Sequence, residues 1–287
     1  MPSNSESRIP SPESRTIAFV GGGNMARSLI GAQRARGVSA ASIRVAEPRA
    51  DAREALAREF GVPVFVDNPE AVAGAECVVL AVKPQMMRKV CEGLAGPLRK
   101  AHPLVISIAA GIRIAQLENL LGAGHAIVRC MPNTPALVGA GAAGLCANHK
   151  VSTEQRALAE SILDAAGIVR WIDDEAQMDT VTALSGSGPA YFFLLVEAME
   201  DAAVQLGLPR DTARALAAQT CLGAGHMLAD GDETAAELRR RVTSPHGTTA
   251  AALDAFEQGG FRKLVERALA AAQRRGAEMS AELDSDA

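Results

Sequence analysis

"TIAFVGGGNMARSLIGAQRARG", residues 16–37, decides the fold. An apolar, β-branched run from Thr16 to Val20 meets three glycines and passes directly into a helical stretch that Gly37 closes. The turn fits G-x-G-x-x-A with Gly21, Gly23 and Ala26. Gly21 permits a tight turn, Gly23 lets the backbone approach a pyrophosphate, and Ala26 allows a helix to pack closely on a strand. Glycine-rich turns are common in α/β folds, so the context carries the weight. Here a strand precedes, a helix follows with Asn24 and Met25 in its first turn, and an acid, Glu47, closes the second strand. That is the pattern of a dinucleotide site.

Working outward, short β-branched runs alternate with helical stretches as far as about Trp171. "SIRVAEP", "VPVFVDN", "ECVVLAVKP", "PLVISIAAG", "HAIVRCMPN" and "IVRWID" read as strands. The helix after Asp67-Asn68 carries Pro69 in its first turn. Strand runs separated by helices of this length predict a mostly parallel, Rossmann-type sheet with helices on both faces. Beyond Asp173 strand signals stop and the chain reads as all helix, with "YFFLLVEAM" apolar nearly all round. Such a helix is buried between others or in a subunit interface. The expected organisation is a disordered tail at 1–15, a dinucleotide-binding Rossmann domain at 16–172, and a helical dimerisation and substrate domain at 173–287.

Ligands of an open α/β sheet lie at the carboxyl ends of its strands. "AVKPQ" supplies Ala81, Val82 and Lys83 there, and "SIAAG" supplies Ser107 and Ala109. Lys83 reads by itself as a capping charge ahead of Pro84. A carboxylate at Glu47 hydrogen-bonds a ribose 2′-OH and repels a 2′-phosphate, which favours NADH. Arg49, with Arg44 or Arg53, offers a 2′-phosphate partner, so the choice between NADH and NADPH stays open.

"RRRVTSPHGTTAAAL", residues 239–253, is a polar knot between two helices. It gathers Thr243, Ser244, Thr248 and Thr249 with Pro245 and Gly247 at a helix start. A small-anion cradle needs hydroxyls, a flexible backbone and a helix N-terminus in one place. A plain N-cap explains one hydroxyl but not the cluster. "SGSGPAY", Ser185 to Tyr191, has small residues that either admit a substrate or let helices pack closely, and packing is the larger part of that reading.

Composition narrows the field. With 48% hydrophobic residues over 287, the chain can build one large or two medium cores. Net charge is −4 and no basic block extends beyond Arg239–Arg241, so nucleic acid is not an expected partner. Five dispersed cysteines without a C-x-x-C pair fit free thiols in a reducing cytosol, and five scattered histidines form no metal pattern. The first 15 residues lack an apolar signal core, and no run is long enough for a membrane span. A cytoplasmic protein is expected.

Taken together, "VGGGNMA", "AVKPQ", "IAAG", "RCMPNTPALVGAG", "LSGSGPAY", "LRRRVTSPHGTTAAAL" and "GGFRKLVERAL" resemble, in order and spacing, the pyrroline-5-carboxylate reductase family. The resemblance runs from about Thr16 to about Met279. It implies a Rossmann domain, a helical dimerisation domain and assembly into a ring of dimers. It also implies reduction of L-Δ1-pyrroline-5-carboxylate to L-proline with NADPH or NADH. By position, Thr249 resembles the hydroxyl that meets the substrate ring nitrogen. Ser244 and the amides of Gly247 and Thr248 resemble the carboxylate cradle. Asn68, Ala81, Lys83, Ser107, Ala109 and the stretch near Glu47 match positions lining the cofactor.

One position departs from the family. The usual Ser-Pro-Gly-Gly-x-Thr has His246 in place of its first glycine, which we read as a solvent-facing residue whose backbone has no need of positive φ. Two other classes compete with this assignment. β-Hydroxyacid dehydrogenases share the two-domain plan but use a lysine early in the helical domain. This chain has no lysine between Lys150 and Lys263. A non-enzymatic dinucleotide sensor would leave the 243–249 hydroxyls without a task.

Overall fold

Four-residue runs such as Ile17–Val20 and Cys77–Leu80 are buried at every position, so they can only be strands covered on both faces. The computed structural model describes residues 15–285. Apart from Arg15, the tail expected at 1–15 lies outside them. Eight strands form one sheet: β1 (Ile17–Val20), β2 (Ile43–Ala46), β3 (Val64–Phe65), β4 (Cys77–Leu80), β5 (Leu104–Ser107), β6 (Ala126–Met131), β7 (Gly141–Ala147) and β8 (Gly167–Trp171). Their order is β3-β2-β1-β4-β5-β6-β7-β8. Every pairing is parallel except β6 with β7, which agrees with the expected Rossmann-type, mostly parallel sheet.

Helices α1 (Asn24–Ala35), α2 (Ala50–Phe60), α3 (Asn68–Val72), α4 (Met87–Ala101), α5 (Ile114–Leu121) and α6 (Thr153–Leu163) connect the strands. One face of the sheet buries Phe19, Val45, Val79 and Ile106 against Leu29, Ile30 and Ile162. The other buries Val20, Leu80 and Val105 against Leu94, Leu98 and Leu117. Each such side chain contributes roughly 1.5–3 kcal/mol on burial. Register aligns the carboxyl ends of four strands in one row: Ala46 opposite Val20, Val20 opposite Leu80, and Leu80 opposite Ser107.

β7 has no strand signal in the sequence. "GAAGLCA" is made of residues with little β preference, and pairing on both sides creates the strand. Small residues are required there: a Cβ on Gly167 would lie 2.0 Å from the Gly141 carbonyl oxygen. After β8 come α7 (Met178–Val181) and a π-helical turn, Thr182–Gly186. The buried Arg129 guanidinium lies 2.9 Å from Glu175 and 3.7 Å from Asp179, joining β6 to this region.

The chain divides into two compact units, one running through Gly186 and resuming at Gln273, the other Ser187–Ala272. The domain limit expected at 172/173 follows the end of the sheet instead. The last helix, α12 (Phe261–Ser285), belongs to both units. Its later part joins the first through Gln273, which donates to Thr180 Oγ1 at 2.7 Å.

The second unit consists of α8 (Gly188–Gln205), α9 (Arg210–Asp230), α10 (Ala235–Arg241), α11 (Thr248–Gln258) and the start of α12. Pro189 sits in the first turn of α8, and Gly207, at φ +104, lies just past its end. Among the described residues, this unit's buried apolar side chains are Ala213 and Ala217 alone, while Phe192, Phe193 and Leu194 are exposed. It builds almost no core for itself. No helix among the described residues is long and apolar enough to cross a membrane. Cys77, Cys91, Cys130 and Cys146 are buried free thiols, and Cys221 on α9 is half-buried.

Candidate active site

The glycine turn opens at the carboxyl end of β1, between β2 and β4. Gly21 takes φ +101, and its N–H donates to the Ala46 carbonyl at 2.8 Å. A Cβ there would stand 2.6 Å from the Ala81 carbonyl oxygen, so only glycine fits. Gly23 differs. It has ordinary φ of −71, and a Cβ would meet nothing within 4 Å. The protein itself does not require glycine at 23. The open space and the exposed first turn of α1 fit a phosphate group approaching the backbone.

Glu47 is enclosed, with 12% of its side chain exposed. Its Oε2 accepts the Gly22 N–H and its Oε1 accepts the Arg49 N–H, each at 3.1 Å. Arg53 donates to the Glu47 and Pro48 carbonyls, and Arg44 to that of Ala73. Arg49 keeps an exposed side chain, with Nε 3.6 Å from Glu47. Of the three arginines weighed from the sequence, Arg49 is thus the one not bound to a carbonyl.

Ala81, Val82 and Lys83 follow β4 directly, and Ser107 ends β5. Ala81 donates its N–H to the Val20 carbonyl at 2.8 Å, which seats this loop beside the glycine turn. Lys83 is exposed and precedes a short 3-10 turn. Ser107 is fully buried and its hydroxyl faces the Ala109 N–H at 3.4 Å, so it shapes the loop from within. Asn68 begins α3, after β3. The fold therefore gathers Gly21, Gly23, Asn24, Met25, Glu47, Ala81, Val82, Lys83, Ser107 and Ala109 along one sheet edge. Asn68 belongs to the neighbouring connection.

In the second unit the polar knot links α10 to α11. Thr243 donates to the Arg239 carbonyl at 2.6 Å and so closes α10, which removes it from the hydroxyl cluster. Residues 244–247 form a β-turn in which the Gly247 N–H donates to the Ser244 carbonyl at 3.1 Å. His246 has φ +60, contrary to the reading of this position from sequence. With Pro245 at the second position, the third takes the left-handed conformation, where glycine is usual and histidine tolerated. His246 is exposed, as expected of the isolated chain.

The Gly247 amide is likewise spent on the turn, so it does not stand free in the cradle. Gly247 serves by its size: a Cβ would lie 2.4 Å from Ser244 Oγ. The first-turn amides of α11, at Thr248 and Thr249, have no side-chain cap. Among the described residues no hydrogen bond engages the hydroxyls of Ser244, Thr248 or Thr249. Free hydroxyls beside uncapped amides suit a carboxylate, and no Lys or acid–base pair stands in the turn. No group of His, Cys, Asp and Glu among the described residues is arranged to hold a metal.

Sheet topology and glycine turn define a dinucleotide-binding oxidoreductase with a helical second part. Residues 16–111 match the family model "NADP oxidoreductase coenzyme F420-dependent", and residues 175–279 match "Pyrroline-5-carboxylate reductase dimerisation". The chain belongs to the pyrroline-5-carboxylate reductase family. It is 56% identical to the pyrroline-5-carboxylate reductase of Pseudomonas aeruginosa, covering 93% of this chain and 97% of the relative. Among solved structures, it resembles a pyrroline-5-carboxylate reductase from Coxiella burnetii at 44% identity with a TM-score of 0.90, over 93% of this chain and 98% of that one. It also resembles the Plasmodium falciparum enzyme solved with NADP bound, at 31% identity and a TM-score of 0.81, over 93% and 99%.

Proposed function

We propose that this chain reduces L-Δ1-pyrroline-5-carboxylate to L-proline, the final step of proline biosynthesis, using NADPH or NADH. The reduced nicotinamide supplies hydride, and the residues of the first unit that would hold the dinucleotide are those gathered along the sheet edge. Gly23 leaves open space at the first turn of α1, whose amides would bind the dinucleotide's pyrophosphate. Hydride addition to a ring C=N needs the nitrogen protonated and the ring held still. Ser244 and the amides of Thr248 and Thr249 hold the substrate carboxylate. Thr249 Oγ1 accepts a hydrogen bond from the iminium N–H. Once the ring nitrogen is a neutral amine, the same hydroxyl relays to it the proton, taken from water, that makes it the ammonium of the product. A protonated imine is already electrophilic, so the turn needs no stronger acid.

The observation that carries this reading is the 244–249 turn, where uncommitted hydroxyls meet uncapped amides. A steady-state assay with pyrroline-5-carboxylate and each cofactor tests it, and oxidation of neither overturns it. Thr249→Ala should bind dinucleotide as the wild type does and lose on the order of 10²-fold in kcat.

The exposed apolar side chains of α8 support a homodimer through the second unit, with dimers closing into a larger ring. Phe193, 68% exposed, is the best probe of that interface. Phe193→Asp should yield monomers by light scattering. The four sealed thiols suit a reducing compartment, and we place the enzyme in the cytosol.

A further inference from the structure

None of the residues assigned above to dinucleotide or substrate lies in Met131-Pro132-Asn133-Thr134-Pro135, yet Asn133 is 8% exposed and hydrogen-bonded through both its oxygen and its nitrogen. Its Oδ1 accepts the Ala142 N–H at 2.8 Å, and its Nδ2 donates to the Ser185 carbonyl at 3.0 Å. One side chain thus ties the end of β6 and the start of β7 to the π-helical turn Thr182–Gly186. Met131 closes on the same turn: a Cβ on Gly186 would lie 2.5 Å from Met131 Cε.

The Ser185 carbonyl needs this donor. In a continuing α-helix it would accept from residue 189, but Pro189 has no N–H. The next amide, Ala190, donates to Ser187 instead, at 3.1 Å. Asn133 supplies the missing partner of a carbonyl that would otherwise be orphaned. π-Helical turns are rare and concentrate at functional sites. The anchor of this one, Asn133, lies just past the carboxyl end of β6, which runs parallel to β5, so the turn is tied to the sheet edge that carries Ala81 and the glycine turn. Gly186 is also where the chain leaves the first unit.

We propose that Asn133 is a positioning residue, fixing the Ser185–Gly186 backbone at that edge so that turnover depends on it while dinucleotide binding does not. The proposal rests on the reductase reading above. Asn133 touches no reacting atom.

The test compares Asn133→Asp, Asn133→Ala, Pro189→Ala and the double variant Asn133→Ala/Pro189→Ala in the full chain. Aspartate keeps the acceptor for Ala142. As a carboxylate it sets an oxygen against the Ser185 carbonyl, and as a protonated acid it donates to it. Asn133→Asp should bind NADPH within about twofold of wild type and lose about tenfold in kcat at pH 8. That deficit, taken relative to wild type, should shrink as pH falls toward 5.5. Pro189→Ala restores an N–H at residue 189, so the double variant should recover much of the kcat lost in Asn133→Ala.

A pH-independent deficit without recovery in the double variant overturns the proposal, as does a folded fraction with wild-type kcat. Should the wild type itself fail to reduce pyrroline-5-carboxylate, the reductase reading falls, and amide exchange still decides the clasp. Exchange at residues 183–187 must quicken in Asn133→Ala and slow again in the double variant; unchanged exchange refutes it.

Discussion

The Gly22 N–H donates to Glu47 Oε2 at 3.1 Å, so the acid at the end of β2 braces the glycine turn that follows β1. Its second oxygen braces the Arg49 amide. A carboxylate offers about four lone-pair sites, and two backbone amides leave room for a ribose hydroxyl.

Glu47 therefore has two separable effects. Glu47→Ala should weaken binding of both dinucleotides by loosening the turn. It should weaken NADH more, because the charge that disfavours a 2′-phosphate is gone. The ratio of kcat/KM for NADPH over that for NADH should rise several-fold, and an unchanged ratio would reduce Glu47 to a brace.

Gly21 and Gly23 should respond in opposite ways to the same methyl. Gly21→Ala forces a side chain into positive φ and onto the Ala81 carbonyl, at a cost of roughly 1–3 kcal/mol in urea unfolding. Gly23→Ala meets no atom, so unfolding should move by less than about 1 kcal/mol. Its NADPH dissociation constant, read by fluorescence, should nonetheless rise at least about tenfold, as one lost close contact to phosphate allows. Equal stability losses in the two variants would contradict the assignment.

The left-handed residue in the 244–247 turn should be sensitive to branching. His246→Val should lower stability by roughly 1–2 kcal/mol, since a β-branched residue is poorly tolerated at φ +60. His246→Gly should cost nothing measurable by chemical denaturation. If valine were harmless, the backbone there would have to be extended.

His125 makes the fold acid-sensitive. It is buried beside His102, with ring centroids 5.8 Å apart. Desolvation first, then the His102 and Arg99 charges, hold its pKa below the ordinary 6.5, against a backbone hydrogen bond at Leu121. The unfolded chain thus takes up a proton that the folded chain refuses. Stability is full above pH 6.5 and falls as pH drops from there through the folded-state pKa. Urea titrations at pH 7.5 and 5.5 should show a smaller loss in His125→Leu than in wild type.

Much of the fold was legible because its signals are local. Buried strands are continuous apolar runs, and Gly21 marks a turn by its freedom of φ. β7 was not legible, since Gly141, Ala142, Ala143 and Gly144 are chosen for closeness to neighbouring strands rather than for strand preference. The site was legible as residue types and positions, but not as commitments. Nothing in "TSPHGTT" reveals that Thr243 closes α10 or that the Gly247 amide is used in the turn. His246 misled because a non-glycine residue suggested relaxed backbone, and Pro245 before it suits a turn of either kind, so it could not decide the sign of φ at 246. Asn133 was visible only within a motif, and Ser185, whose carbonyl it supports, lies 52 residues away.

The burial of the cysteines turns the chain into its own gauge of integrity. Burial pushes Cys91 up to about 12 and raises Cys77, Cys130 and Cys146 as well, so these thiols are protonated and screened from reagents. Cys221 lies outside the sheet domain's core. An alkylating label added to native protein would mark Cys221 first, and the four slower sites would count molecules that have opened.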